Sequence, residues 1–434
     1  MKSLSGGALI RSGRFAKAGM SAGGNYLRHY LGNSLPIKNL HQDQKTLNRK
    51  NAVSIFKELS KLRGLPLKLA QGMSMDTGLL PIEFMEVMSS AQYSVPPMNR
   101  ALVRTQFKRN FNEYPENLFH SFDYDAFAAA TIGQVHHAKN FDGVNLVVKV
   151  QYPNVRKSIY SDIKLLSFFG KKFFKDVNLE NYLDEVRDTL IEETDYLKEG
   201  RNIQKFRELF LSKDIVFPEY EKSTSNEQVI TMTFLEGDHL DQMLKKRPDQ
   251  KKRNNYGQIM WNFFHENINS LNNTFHADVH PGNFLFCEDG SVGVIDFGCI
   301  KVFPDQFIKS CIRLVQNHLN SAHDEFLNEL ECMGFIKNVS DLSGKEKKIE
   351  KLFSGLAKIM GSIYEKSNFD FGNKNFRKEL NNLFQQGLEI REVRGSEQFI
   401  FFNRITFGLM SILMKLEAKI DTREARGIIL NAEC

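Results

Sequence analysis

Cysteine and long apolar runs are both scarce in this chain of 434 residues. The five cysteines show neither a CxxC spacing nor a pairing pattern, which argues against a disulfide framework and predicts free thiols in a reducing compartment. No stretch reaches the ~18–20 apolar residues that a membrane-spanning helix requires. The nearest approach, residues 399–414, is interrupted by Asn403 and Arg404, so we expect a buried helix there.

Acidic residues are absent from the first 42 positions, which carry six basic ones. The remaining 52 basic residues are balanced by 52 acidic ones, so the excess positive charge lies in this leader. A basic leader suits contact with anionic lipid headgroups or organelle targeting, and a solvated terminus is the alternative. Outside it, no basic cluster is interleaved with aromatic residues, which argues against nucleic-acid binding.

Short β-type runs predict the sheet of one lobe. They cover residues 133–138, 146–150 and 229–234, and Asp142-Gly143 between the first two is a strong hairpin signal. Before them, apolar spacings predict a helix over 49–63 and a helical extension ending near residue 118. After residue 237 the pattern becomes helical, and Tyr256, Ile259 and Phe263 mark one helix.

A long helix is predicted over residues 181–210. Its apolar stripe is interrupted by Glu193, and a second row of acids follows at spacings of four, three and four: Asp188, Glu192, Asp195 and Glu199. Like charges on one helix face repel, and an unpaired carboxylate in an apolar stripe is costly. We therefore expect lysine partners for Glu193, Asp195 and Glu199, with Lys68 and Lys149 as candidates, whereas Asp188 and Glu192 form a solvated face.

The most informative pattern lies at residues 276–283 (HADVHPGN) and 295–298 (IDFG). Asp278 and Asn283 are followed by Asp296, a layout typical of phosphoryl transfer. One Asp faces the accepting hydroxyl, while Asn and the second Asp supply hard oxygen ligands for magnesium. His276 is predicted to be a structural, hydrogen-bonded residue.

Five blocks in order resemble the ABC1 atypical kinases, also called the UbiB, ADCK or COQ8 family. The blocks are KLAQ (68–71), AAATIGQVH (128–136), VVKVQYP (147–153), ETDY with Glu199 (193–199), and the 276–283 loop with the Asp296 triplet. The resemblance spans roughly residues 60–300. It implies that Lys149 contacts nucleotide phosphates and pairs with Glu199, that Asp278 is the catalytic-loop acid, and that Asn283 and Asp296 bind Mg²⁺.

The resemblance also implies two unusual features. Ala128, Ala129, Ala130 and Thr131 take the place of the glycine-rich loop over the phosphates of ATP or ADP, which restricts φ and predicts a modified nucleotide pose. Lys68 and Gln71 resemble the KxGQ signature, whose extension covers the protein-substrate side and is held by Glu193 and Asp195. Here Ala70 replaces the expected Gly.

The fold class implied is α+β: a bilobal kinase-like fold with a helical KxGQ-type extension and a mainly helical C-lobe. We predict a basic segment over 1–42, the extension over 43–118, the N-lobe over 119–236 and the C-lobe over 237–434. No Ala-Pro-Glu triplet follows Gly298, so an ordinary activation segment is not expected.

Three functions remain open from the sequence. The first is a kinase-like ATPase that binds Mg-nucleotide and supports ubiquinone or isoprenoid-lipid metabolism, the lipid link coming wholly from the resemblance. The others are a conventional phosphotransferase on protein or small-molecule hydroxyls, and a non-catalytic, nucleotide-gated lipid-binding module. A bacterial source implies a cytoplasmic protein at the membrane surface, and a eukaryotic source implies mitochondrial or plastid import.

Overall fold

The computed structural model describes residues 97–430, except 131, 174–183, 185–186, 189, 211, 269–272, 341 and 390–396. The basic segment, the 49–63 helix and the KLAQ block lie outside the described residues. The chain divides into two compact units. The first comprises Met1–Lys198 and Tyr220–Thr233, and the second comprises Glu199–Glu219 and Phe234–Cys434.

The first unit is built on an antiparallel sheet. Its strands are β1 (Ser121–Phe122), β2 (Ala128–Ala129), β3 (Gly133–Lys139), β4 (Asn145–Gln151) and β6 (Val229–Thr233), in the order β1-β3-β4-β6 with β2 also on β3. Helices α1 (Arg100–Phe111), α2 (Pro115–Leu118) and α3 (Val155–Phe173) belong to the same unit. The predicted hairpin is confirmed, because Gly143 takes φ 83° and donates to Asn140 O at 3.1 Å between β3 and β4.

The described part of the predicted 181–210 helix is interrupted, so the prediction of one continuous helix was wrong. Thr194 forms a turn, and α4 (Tyr196–Leu209) begins anew after it. Asp195 caps the new helix by accepting from Lys198 N at 3.0 Å. The carbonyl of Thr194 is held by the Gln151 side chain at 2.9 Å, so β4 fixes the break.

The second unit contains three small β-assemblies. Strand β5 (Ile215–Val216) runs parallel to β9 (Val292–Val294), which pairs antiparallel with β8 (Phe284–Phe286). The other two assemblies are antiparallel strand pairs. In one, β7 (Thr274–His276) pairs with β10 (Ile300–Val302), and in the other β11 (Asn368–Asp370) pairs with β12 (Lys419–Asp421). These strands are short, and most of their buried residues are apolar.

Helices make up most of the second unit. In chain order they are α5 (Leu240–Lys245), α6 (Gln250–Glu266), α7 (Asp305–Leu319), α8 (His323–Cys332), α9 (Gly344–Tyr364), α10 (Lys374–Glu389), α11 (Glu397–Leu416) and α12 (Arg423–Leu430). The helices predicted around Ile259 and over 399–414 are confirmed as α6 and α11. Among the described residues, no helix combines the length and the apolar character needed to span a membrane.

Candidate active site

The fold of the second unit places two loops side by side. One loop leaves β7 and enters β8, and it carries Asp278 and Asn283; the other leaves β9 and enters β10, and it carries Asp296. Because β7 pairs with β10 and β8 pairs with β9, the two connections must run next to each other. Antiparallel pairing therefore brings together three residues that the sequence separates.

Asp278 and Asn283 are locked to each other within the first loop. The Asn283 side-chain amide donates to Asp278 O at 2.9 Å and to Asp278 Oδ2 at 3.0 Å. Since its nitrogen faces Asp278, the amide oxygen of Asn283 faces the opposite side. The Asp278 residue is 8% exposed, while Asn283 is half-buried.

Asn283 directly precedes the β8–β9 hairpin, and Asp296 follows it. Ile295 N donates to Asn283 O at 3.1 Å, which continues the β8–β9 ladder to the site. The Asp296 carboxylate accepts from Gly298 N at 3.0 Å, and its carbonyl accepts from His276 Nε2 at 2.6 Å. The buried His276 is therefore hydrogen-bonded, as predicted, and it ties the first loop to the second.

Helix α4 holds the residue that follows Asp296. Glu199 Oε1 accepts from Phe297 N at 3.4 Å, and Asn202 Nδ2 donates to Phe297 O at 2.9 Å. The two side chains are three positions apart, so both lie on one helix face, and they bind the backbone N–H and the backbone carbonyl of the same residue. Phe297 itself is fully buried. Asn202 was not singled out in the sequence, and its position one turn after Glu199 was the only available signal.

A cation reaches Asp278 from a distant helix. Arg404 on α11 forms an ion pair with Asp278 Oδ1, and the two side chains are only 15% and 11% exposed. In the sequence Arg404 was noticed only as an interruption of an apolar run. Its partner lies 126 residues away, so local spacing could not identify the pair.

Two of the site's side chains carry oxygen atoms of the kind that Mg²⁺ prefers. Asn283 directs an amide oxygen away from Asp278, and Asp296 adds a carboxylate at the same end of the hairpin. Among the described residues, no three His, Cys, Asp or Glu side chains are grouped to hold a metal.

Lys149 lies in the first unit, on β4 opposite Val135 and Ile230, and is 8% exposed. Glu199, its predicted partner, belongs to the second unit and is 4% exposed. Their pairing stays a prediction. A buried lysine on a central strand is costly unless its ammonium group has a negative partner.

The alanine-rich segment begins with a short strand. Ala128 and Ala129 form β2, and Ala130 exchanges backbone hydrogen bonds with Gly133 at 3.0 and 3.4 Å. Thr131 lies outside the described residues. Gly133 is required here, because a Cβ atom would lie closer than 3.0 Å to the Val150 backbone.

The polar residues of the 128–136 block form hydrogen bonds within the first unit. Gln134 Oε1 accepts from Met98 N at 2.6 Å, and its amide lies 2.9 Å from His136 Nε2. His136 Nδ1 donates to Asp123 O at 2.9 Å. Burial lowers the pKa of His136, which keeps the ring neutral for this chain of hydrogen bonds.

The acids before α4 have separate environments. Glu193 and Asp195 are half-buried, and their predicted partner Lys68 lies outside the described residues, as does Gln71. Glu192 is exposed, as predicted, and pairs with Lys198 at 3.3 Å. Asp188 is also exposed, and it accepts from the neighbouring Arg187.

The family model of the ABC1 atypical kinase-like domain matches residues 90–329, more than half of the chain. This chain belongs to the ABC1 atypical kinase-like family. The match includes the first unit's sheet and both loops of the candidate site. The resemblance to this family is thereby confirmed, whereas the KLAQ block at 68–71 lies outside the matched residues.

Three relatives are similar to this chain over long segments. A probable serine/threonine-protein kinase abkA of Dictyostelium discoideum is 26% identical over 86% of this chain and 69% of its own length. The mitochondrial atypical kinase COQ8 of Saccharomyces cerevisiae is 32% identical over 64% of this chain and 55% of its own length. The mitochondrial atypical kinase coq-8 of Caenorhabditis elegans is 28% identical, and the match spans half of that protein.

A solved structure shares the fold. The complex of Rv3197 with erythromycin from Mycobacterium tuberculosis matches with a TM-score of 0.63 and 22% identity, covering 88% of this chain and 96% of that one. At this identity the likeness concerns the fold alone, and it supports a kinase-like fold of mixed helix and sheet.

Proposed function

We propose that this protein is a kinase-like ATPase that binds ATP or ADP with Mg²⁺ and acts in ubiquinone or isoprenoid-lipid metabolism. The observation that carries the proposal is the placement of Asp278, Asn283 and Asp296 on two adjacent loops, joined by hydrogen bonds. Membership of the family supports the kinase-like chemistry. The lipid link rests on the family resemblance.

In this proposal each residue of the second unit has a defined task. Asp278 orients the attacking hydroxyl or water, and its own orientation is set by Asn283. Asn283 and Asp296 hold Mg²⁺, which neutralises the charge on the phosphates when it is bound. Glu199 anchors the peptide after Asp296, so α4 helps to keep the metal ligand in place.

We assign nucleotide contacts to the first unit. Lys149 binds the phosphates and is balanced by Glu199, while Ala128–Ala130 and Thr131 lie against the nucleotide. Ala128 and Ala129 are held in this proposal by antiparallel pairing with β3. In the same proposal Lys68 and Gln71, held by Glu193 and Asp195, cover the acceptor side, which favours ATP hydrolysis over protein phosphorylation.

We also propose that the protein works at a membrane surface, where isoprenoid lipids reside. The basic leader over 1–42 supplies the positive charge for anionic headgroups. Cosedimentation with vesicles containing anionic lipid tests this assignment. Removing residues 1–42 should release the protein from the vesicles at physiological salt.

Calorimetry with ATP and ADP, with and without Mg²⁺, tests the nucleotide site. We expect binding that chelation abolishes, and Asp296→Asn should weaken it at least ~10-fold because a charged ligand is lost. Asp289→Asn is the matched control. This acid lies in the same hairpin but at its turn, where it accepts from Ser291. Folded protein without Mg-dependent nucleotide binding contradicts the proposal.

Turnover is tested separately from binding. Hydrolysis should be measured with vesicles and a phenolic quinone-precursor mimic, and Asp278→Asn should keep nucleotide binding but lose hydrolysis. Hydrolysis that persists in this variant would remove Asp278 from the mechanism. Radiolabelled phosphate that appears on added protein as fast as hydrolysis proceeds would instead support a protein phosphotransferase.

A further inference from the structure

The Asp278 carboxylate is held from two directions. Asn283 occupies Oδ2 at 3.0 Å, and the Arg404 guanidinium contacts Oδ1. The first contact comes from the same loop and the second from α11. Together the two contacts fix the rotation of the Asp278 carboxylate about its Cβ–Cγ bond. One contact alone would not fix this rotation.

Helix α11 also touches the next residue of the loop. A Cβ atom on Gly408 would lie closer than 3.0 Å to the Val279 carbonyl and 3.0 Å from its Cβ. Gly408 is one helical turn after Arg404, so both point from the same face of α11. Only glycine permits the helix backbone to come this close, and that approach places Arg404 beside Asp278.

The loop provides no cation of its own. Residues 276–283 contain neither lysine nor arginine, and Ala277 occupies the position where many kinases have arginine. Arg404 therefore brings a positive charge to this end of the loop. Since the pair is shielded from solvent, salt screens it little.

We infer that Arg404 is a positioning residue for Asp278, and that Gly408 is the residue that lets α11 perform this role. This inference rests on the proposed function, in which Asp278 orients the attacking group. Helix α11 thus belongs to the catalytic apparatus although it lies more than a hundred residues after the loop. A displacement of about 1 Å in such a group lowers turnover by roughly 100-fold.

The alternative is that the pair only stabilises the fold, and the chain offers a matched control for it. Arg313 on α7 forms two hydrogen bonds to Glu329 on α8, at 2.7 and 2.9 Å, with side chains 23% and 10% exposed. This ion pair has similar burial and lies in the same unit. Neither residue belongs to the candidate site.

The experiment compares Arg404→Gln, Arg404→Lys, Gly408→Ala and Arg313→Gln in the full-length protein. Melting temperature, Mg-ATP affinity and kcat are measured for each variant. We expect Arg404→Gln and Gly408→Ala to lower kcat at least ~10-fold while Mg-ATP affinity changes less than ~2-fold, and Arg404→Lys to recover part of kcat. Arg313→Gln should lower the melting temperature and leave kcat unchanged.

Two results would overturn the inference. One is a kcat for Arg404→Gln within ~2-fold of wild type. The other is a parallel loss of kcat and melting temperature in Arg404→Gln and Arg313→Gln, which a purely structural role produces.

A second measurement separates this inference from the proposed function. If the wild-type protein binds nucleotide but hydrolyses none, the ATPase proposal fails, and the pair is judged by a double-variant cycle on the melting temperature. Coupling between Arg404→Gln and Asp278→Asn, seen as a combined shift smaller than the sum of the single shifts, supports the direct contact that the inference requires. Additive shifts refute it.

Discussion

Replacing Asn202 by alanine should destabilise the second unit through a single lost hydrogen bond. The Asn202 amide donates to the carbonyl of the fully buried Phe297 at 2.9 Å. A buried acceptor that loses its donor costs about 1–3 kcal/mol. Alanine is the better helix former by roughly 0.5 kcal/mol, which offsets part of this cost. We expect a net loss of about 1–2 kcal/mol in the free energy of unfolding.

The same substitution should weaken Mg-nucleotide binding, because Phe297 follows the proposed metal ligand Asp296. Thermal unfolding should show a melting temperature lower by roughly 2–8 °C, given ~2–4 °C per kcal/mol for a unit of this size. Asn262→Ala is the control. Asn262 also lies on a helix of the second unit, where its side chain accepts a hydrogen bond from the Gln258 side chain one turn earlier. Its change should stay within about 0.5 kcal/mol.

The outcome that refutes this reasoning is specific. Asn202→Ala and Asn262→Ala would have to show the same stability and the same Mg-ATP affinity. The carbonyl of Phe297 would then find another donor, and α4 would not be holding the loop. A loss of stability with unchanged Mg-ATP affinity would refute only the link between the Asn202 hydrogen bond and the metal ligand Asp296.

Three further predictions concern the stability of the fold. Gly133→Ala should lower the free energy of unfolding in urea by about 1–3 kcal/mol, because the added Cβ would collide with the Val150 backbone. The control is Gly427→Ala, on a helix with open space around the glycine, which should cost nothing. Equal losses in the two variants would contradict the close approach at Gly133. Burial lowers the pKa of His265 to about 4, so the contribution of the neutral ring to the free energy of unfolding is complete above pH 6.5 and is lost as the pH falls to about 4. Urea midpoints measured between these pH values should fall less steeply in His265→Gln than in the wild type. Burial raises the pKa of Tyr256 to about 12, so the contribution of Tyr256 to the free energy of unfolding should be constant below pH 10 and decline towards pH 12, a decline that Tyr256→Phe should reduce.

Local patterns were sufficient for the three predicted strands, β3, β4 and β6, and for helices α6 and α11. The Asp142-Gly143 turn and the β-branched run before Lys149 were read correctly, because hairpins and central strands depend on neighbouring residues. The break before α4 was missed. Its local signal is the capping Asp195, but the contact that fixes it comes from Gln151, more than forty residues earlier.

The sequence by itself determined the family, the strand lysine and the identity of the candidate acids, since residue type and short spacing define these features. The tertiary structure decided which of them meet. Antiparallel pairing of β7 with β10 and of β8 with β9 set Asp278, Asn283 and Asp296 on adjacent loops. The contacts of Asn202 and Arg404 join helices to loop residues that lie 95 and 126 positions away in the chain, and no local periodicity encodes such contacts.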